Sequence, residues 1–166
     1  MAALVLIGPM AAGKTKVGKR VARMLGVPAI DSDKLVVAEY GPIAEIFDRD
    51  GEARFRELER DAVRTALASD AVVSLGGGAV LSDATRRDLA HERVVYLTVS
   101  PEVVAGRLGE DAGKRPLARD GVEQWQRIFD ARRPLYEEVA DLEVDTSRRT
   151  FDEIAEEVAA WLRSRV

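Results

Sequence analysis

The sequence predicts an open α/β sandwich, a parallel β-sheet covered by helices. Short apolar runs alternate along the chain with stretches of helical periodicity. The first run, Ala3-Leu4-Val5-Leu6-Ile7, is continuously apolar, as in a strand buried on both faces. A glycine-rich turn with lysine and threonine at its end follows at once and opens a helix.

The elements follow in order. After the first strand, Val17, Val21, Met24 and Leu25 recur at helical spacing, and Gly26 and Pro28 end that helix. Residues 28–31 make a short second strand and 71–75 a third, which runs into Gly76-Gly77-Gly78. Residues 93–99, rich in β-branched side chains, make the fourth and 142–145 the fifth. Ser100 caps a helix that has Pro101 at its first position. Thr150 and Glu153 form a capping box, with Phe151, Ile154, Val158 and Leu162 on one face behind it. Residues 109–121 are the least patterned stretch and long for a connection, which marks them as disordered or as a functional lid. With no internal repeat, low-complexity tract or linker, one domain over residues 1–166 is expected.

Composition narrows the function classes. At 166 residues, 46% apolar and 33% charged, the chain is long enough for a sizeable core. Its longest apolar run, residues 2–10, is broken by Gly8 and Pro9, far short of a bilayer span and without the flanks of a signal peptide. With no cysteine there is no thiolate nucleophile or cysteine-based metal site. The single histidine, His91, excludes a histidine-rich metal site and reads as a surface residue. The expected compartment is the cytoplasm, with no membrane partner. A net charge of −4 argues against a broad nucleic-acid face. Twenty of the twenty-five basic residues are arginine, which suits carboxylate or phosphate recognition but equally fits a composition bias.

The strongest local signal is Gly8-Pro9-Met10-Ala11-Ala12-Gly13-Lys14-Thr15, which fits G-x-x-x-x-G-K-[ST] between a strand and a helix. Backbone N–H groups of such a loop and the positive helix end cradle phosphates. Lys14 would reach the β- and γ-phosphates, and the Thr15 hydroxyl would bind Mg²⁺. A guanine-reading N-K-x-D element is absent, and Asp48-Arg49-Asp50-Gly51 reads as a helix-ending turn. The acidic residues at a strand end are Asp31 and Asp33, on the rim where the phosphate loop lies. Asp31 would reach the Mg²⁺ shell through a water, leaving Asp33 to face the acceptor.

Further motifs follow in register: Gly51-Glu52-x-x-Phe55-Arg56-x-x-Glu59, Gly76-Gly77-Gly78, Arg115-Pro116-Leu117 and Arg132-x-Pro134-Leu135-Tyr136. Together with the phosphate loop and Asp31-x-Asp33, this set resembles the shikimate kinases over residues 3–149. The resemblance implies a three-layer P-loop kinase of the nucleoside-monophosphate-kinase type. Its five-stranded parallel sheet has order 2-3-1-4-5, with helices on both faces and a mobile lid at about residues 109–121. It implies transfer of the γ-phosphoryl group of ATP to the 3-hydroxyl of shikimate, by a cytoplasmic, monomeric, magnesium-dependent enzyme of aromatic amino-acid biosynthesis. By that match Ala11, Ala12, Gly13, Lys14, Thr15 and Lys16 bind the nucleotide phosphates, and Arg107 and Arg149 lie beside the adenine. Asp33 holds the shikimate hydroxyls, within an acceptor region of about residues 32–60. Arg56 and Arg132 hold the carboxylate, Gly76, Gly77 and Gly78 let backbone approach the ring, and Arg115 is the lid arginine. Glu59 would orient Arg56. Lys14, Asp33 and Arg115 are the catalytic set, with Thr15 and Asp31 at the metal.

Physical chemistry supports several of these roles without the resemblance. Two arginines facing one small pocket imply an anionic group in the acceptor, because otherwise they would repel each other. Three successive glycines after a buried strand weaken it locally, which fits a place where a ligand needs the space. Asp33 would either accept the hydroxyl proton or only orient it. The chain also departs from the family pattern. Ala11 stands where a glycine is usual, Lys16 replaces a threonine, Tyr40-Gly41-Pro42-Ile43 shortens a segment before the acceptor helix, and Ala118 replaces a leucine.

Overall fold

The computed structural model describes residues 1–110 and 121–165. The expected lid, with Arg115, Pro116, Leu117 and Ala118, lies outside the described residues apart from its ends. Five parallel strands form one sheet in the order β2-β3-β1-β4-β5. They are β1 (Leu4–Ile7), β2 (Ala29–Asp31), β3 (Val72–Ser74), β4 (Val94–Thr98) and β5 (Leu142–Asp145). All four residues of β1 are buried; because neighbours along a strand face opposite sides, both faces of the sheet centre are covered. Strand order and class agree with the expectation. Four of the five strands are one or two residues shorter than the apolar runs, because the terminal residues pass into turns.

Seven helices of the described residues surround the sheet: α1 (Lys14–Leu25), α2 (Ser32–Tyr40), α3 (Ile43–Leu67), α4 (Asp83–Leu89), α5 (Pro101–Glu110), α6 (Gly121–Val139) and α7 (Phe151–Arg163). Helix α1 buries Val17, Gly18, Val21 and Ala22, and packs on β3 and α7. Met24, which shares the helical spacing, is 43% exposed, at the margin of the buried face. The buried stripe instead follows 17, 18, 21 and 22 because Gly18 lies against Ser74 and Leu6. Val103 N–H donates to Ser100 Oγ, as expected of a cap, and Glu153 N–H donates to Thr150 Oγ1, the threonine half of the expected box.

Helix α3 is two helical segments meeting at Gly51, whose φ of 84° and ψ of 167° interrupt the helix where the Asp48–Gly51 turn was expected. The break folds Phe47 back on Phe55, with ring centroids 5.1 Å apart. A small second core of Val36, Ile46, Phe55 and Leu58 thus holds α2 against α3, apart from the main core. Most of the site described next rises from the carboxyl ends of β1, β2 and β3 and from one face of α6, with α3, α5 and the start of α7 adding side chains at its edges.

Candidate active site

The phosphate loop is shaped by what its carbonyls touch. Lys14 Nζ donates to Gly8 O at 2.6 Å and to Pro9 O at 3.0 Å. Trp125 Nε1 donates to Met10 O at 2.7 Å, Arg107 Nη1 to Ala11 O at 2.7 Å and Thr146 Oγ1 to Ala12 O at 2.9 Å. Five successive carbonyls are therefore held by side chains. Gly8 has no room for a Cβ, which would collide with the Leu97 carbonyl of β4. Ala11 has φ of 71°, the one non-glycine positive φ among the described residues, so it bears the strain that the usual glycine avoids. Helix α1 starts from Gly13 without a side-chain cap and without an acidic residue in its first turn. Such an end, with its N–H groups uncapped, is a site for an anion.

Below the loop, Asp31 ends β2 and does two things at once. Its Oδ1 caps α2 by accepting from Asp33 N–H at 2.9 Å and Lys34 N–H at 3.3 Å. Its Oδ2 accepts from the Thr15 hydroxyl at 3.0 Å. This pair of hard oxygen donors is the chemistry that suits Mg²⁺.

The glycine run lies against the acceptor side chains in order. A Cβ on Gly76 would run into the Asp33 carboxylate, one on Gly77 would come 3.5 Å from Arg132 Nη1, and one on Gly78 would run into the Arg56 guanidinium. Two contacts hold the run in place. Gly76 N–H donates to the buried Ser32 hydroxyl, and the Tyr136 hydroxyl donates to Gly77 O. Burial pushes the Tyr136 phenol up to about 12, so it remains a donor through the neutral range.

Arg56 pairs with Glu59 at 2.7 Å and Glu52 at 3.4 Å, as the one-turn spacing suggested. Glu59 is 4% exposed, and burial raises its carboxyl above the ordinary range although Arg56 opposes the shift. Arg132 and Arg133 diverge: Arg132 lines the cleft, while Arg133 pairs with Glu137 on the surface.

These groups surround one cleft of about 540 Å³, lined among others by Lys14, Thr15, Asp31, Asp33, Gly77 and Arg132. Ala11, Gly13, Lys16, Gly76 and Arg107 border it as well. Ala12 is fully buried beneath the loop. Arg56 and Gly78 are not in that lining; Arg56 borders a smaller adjoining groove with Glu52, Glu59 and Arg60. Arg107 reaches Thr146 O as well as the loop, and stacks 5.1 Å from the Phe151 ring centroid. Lys16 points to the same ring at 5.5 Å. Arg149 is turned along α7 to Glu157 at 3.1 Å and does not line the cleft. Arg115 lies outside the described residues.

Sequence reasoning missed Trp125, Thr146, Ser32 and the cleft-facing position of Phe151. Nothing in the local pattern around Trp125 separates it from an ordinary core aromatic of an amphipathic helix.

Comparison with known proteins gives one consistent answer. The shikimate kinase family model matches residues 10–163. The chain is 47% identical to the shikimate kinase of Salinispora arenicola, covering 95% of this chain and 96% of that one. It is 46% identical to the shikimate kinase of Streptomyces coelicolor, over 92% and 91%. A solved structure of shikimate kinase from Acinetobacter baumannii in complex with shikimate superposes with a TM-score of 0.89 at 31% identity, covering 98% of this chain and 93% of that one.

Proposed function

The chain belongs to the shikimate kinase family, and we propose a division of labour among its side chains on that premise. The enzyme is an ATP-dependent kinase that moves the γ-phosphoryl group of ATP to the 3-hydroxyl of shikimate. The shikimate hydroxyl oxygen bonds to the γ-phosphorus and gives up its proton as the bond to the β-phosphate oxygen breaks, giving shikimate 3-phosphate, ADP and a proton.

In this proposal the amides of Ala11, Ala12, Gly13, Lys14, Thr15 and Lys16 take the phosphates. Lys14 exchanges its loop carbonyls for the β- and γ-phosphate oxygens. Thr15 and Asp31 would hold Mg²⁺, and the ion would offset phosphate charge. Asp33 accepts a hydrogen bond from the attacking hydroxyl, while Arg132 and Arg56 take the carboxylate. Gly76, Gly77 and Gly78 leave the ring its space, and Glu59 keeps Arg56 aimed. Arg115 adds charge from the lid side, Arg107 serves the adenosine end from the cleft edge, and Arg149 would join it only by leaving Glu157. The site sits in one kinase domain, of a monomer in the cytoplasm; no described helix is long and apolar enough to cross a membrane.

The observation that carries this assignment is the glycine run seated against Asp33, Arg132 and Arg56 in turn, beside the phosphate loop. Asp33 and Arg132 line the cleft and Arg56 borders the smaller groove, a set of one oxygen acceptor and two cations that suits a small anionic polyol. The test is ADP formation from Mg·ATP with and without shikimate, with gluconate in parallel. A large rise with shikimate alone is expected. A rise with gluconate instead would assign the arginines to a different acid.

A further inference from the structure

Among the cleft-lining side chains of helix α6 are those at positions 125, 132 and 136, the latter two seven and eleven residues along from the first, which puts the three on one face. Each reaches a different part of the site. Trp125, only 3% exposed, donates its indole N–H to Met10 O in the phosphate loop. Arg132 lies beside Gly77, and Tyr136 donates to Gly77 O in the acceptor loop. Phe129 stacks on both rings, with centroids 5.1 Å from Trp125 and 6.5 Å from Tyr136, so the face is a continuous aromatic column.

The bond to Met10 acts where the loop is most strained. The Met10 carbonyl belongs to the peptide that leads into Ala11, the residue with φ of 71°. Rotating that peptide back would relieve Ala11 and take the Met10 carbonyl away from Trp125. It would also turn the Ala11 N–H from its present direction. We propose that Trp125 is a positioning residue for the phosphate loop, and that through it α6 couples filling of the acceptor end of the cleft to nucleotide affinity. The coupling half rests on the acceptor assignment above, since it needs an anion on Arg132; the loop half does not.

The test uses the full chain with Trp125→Phe, which keeps the stacking ring and removes the N–H. Nucleotide binding is read with ADP alone. The affinity falls about three- to tenfold, the loss of one hydrogen bond to a neutral carbonyl. The ratio of shikimate affinities with and without ADP is above one for the parent chain and falls toward one in the variant. A merely structural role would lower the thermal midpoint and leave that ratio unchanged. If Trp125→Phe does not fold, site-specific β-(3-benzothienyl)alanine at position 125 keeps the indole shape and lacks only the N–H. ADP affinity within twofold of the parent overturns the positioning role. A weakened ADP affinity with an unchanged ratio, or a parent ratio of one, overturns the coupling. Absence of any shikimate binding would overturn the acceptor assignment instead, with the ADP measurement still deciding the role of the loop contact.

Discussion

The Thr15 hydroxyl donates to Asp31 Oδ2 across 3.0 Å, joining the first turn of α1 to the end of β2. The same carboxylate caps α2 through its other oxygen, so its charge and its hydrogen bonds serve separate ends. Asp31→Asn keeps an acceptor for the cap and removes the charge. The expected result is an apparent Mg²⁺ affinity lower by about 10- to 100-fold, as for loss of an outer-shell group. The thermal midpoint should barely move, whereas Asp31→Ala should also cost about 1 kcal/mol of stability through the lost cap. A magnesium titration of kcat beside a melting curve separates the two.

Lys14 donates to two loop carbonyls, those of Gly8 and Pro9. Lys14→Ala should lower kcat by roughly 10²–10³, the range for removal of one transition-state donor. Turnover equal to the parent would remove Lys14 from the phosphate site.

Arg132 faces the glycine run, whereas its neighbour Arg133 is spent on Glu137. Arg132→Ala should weaken acceptor binding by about 1.5–3 kcal/mol, the value of a charge-assisted contact. Arg133→Ala should leave it unchanged. Steady-state KM for shikimate in both variants is the measurement, and equal effects would contradict the divergence of the two side chains.

Ala11 is strained by its methyl group at φ of 71°. Ala11→Gly removes a left-handed penalty of about 1–2 kcal/mol. It adds back about 0.5–1 kcal/mol of unfolded-chain entropy. A net gain of about 0.5–1 kcal/mol is expected, seen as a higher midpoint in thermal or urea unfolding, with the ATP site intact. A lower midpoint would show that the loop contacts do not impose the conformation.

Glu59 is buried and its carboxyl is raised, with burial the larger cause and Arg56 opposing it. A raised acid binds its proton more tightly folded than unfolded. Its contribution to stability is therefore fully present below the ordinary carboxylate range and is lost as pH rises through the folded value. For function the direction is opposite. Protonation on the acid side releases Arg56, so KM for shikimate should climb as pH falls, beginning above the ordinary glutamate range. Glu59→Gln should abolish that limb in a KM–pH profile; a parent limb that survives the change belongs to another group.

Much of this site was legible before any coordinates, for identifiable reasons. The phosphate loop is a local structure: its amides, lysine and threonine lie within eight successive residues, so spacing alone specifies their arrangement. Asp33, Arg56 and Arg132 were legible as members of spaced motifs, and the choice of Arg132 over Arg133 followed from the family's R-x-P spacing. Met24 shares the helical spacing yet lies exposed, because spacing gives the width of an apolar stripe but not its centre. Arg107 and Arg149 shared one expectation, yet the first holds the Ala11 carbonyl and the second runs along α7.

Class of fold, strand positions and the chemistry of the phosphate end were written in local pattern, because periodicity and turn residues act over a few residues. The mutual placement of Gly76, Gly77 and Gly78 against three side chains from three other elements was not. Neither was the hold on the loop by Trp125, Arg107 and Thr146, which reach it from up to 134 residues away. Those contacts depend on which strand lies beside which and on how each helix is rotated about its axis. Packing of the whole core decides both, and no short segment contains that information.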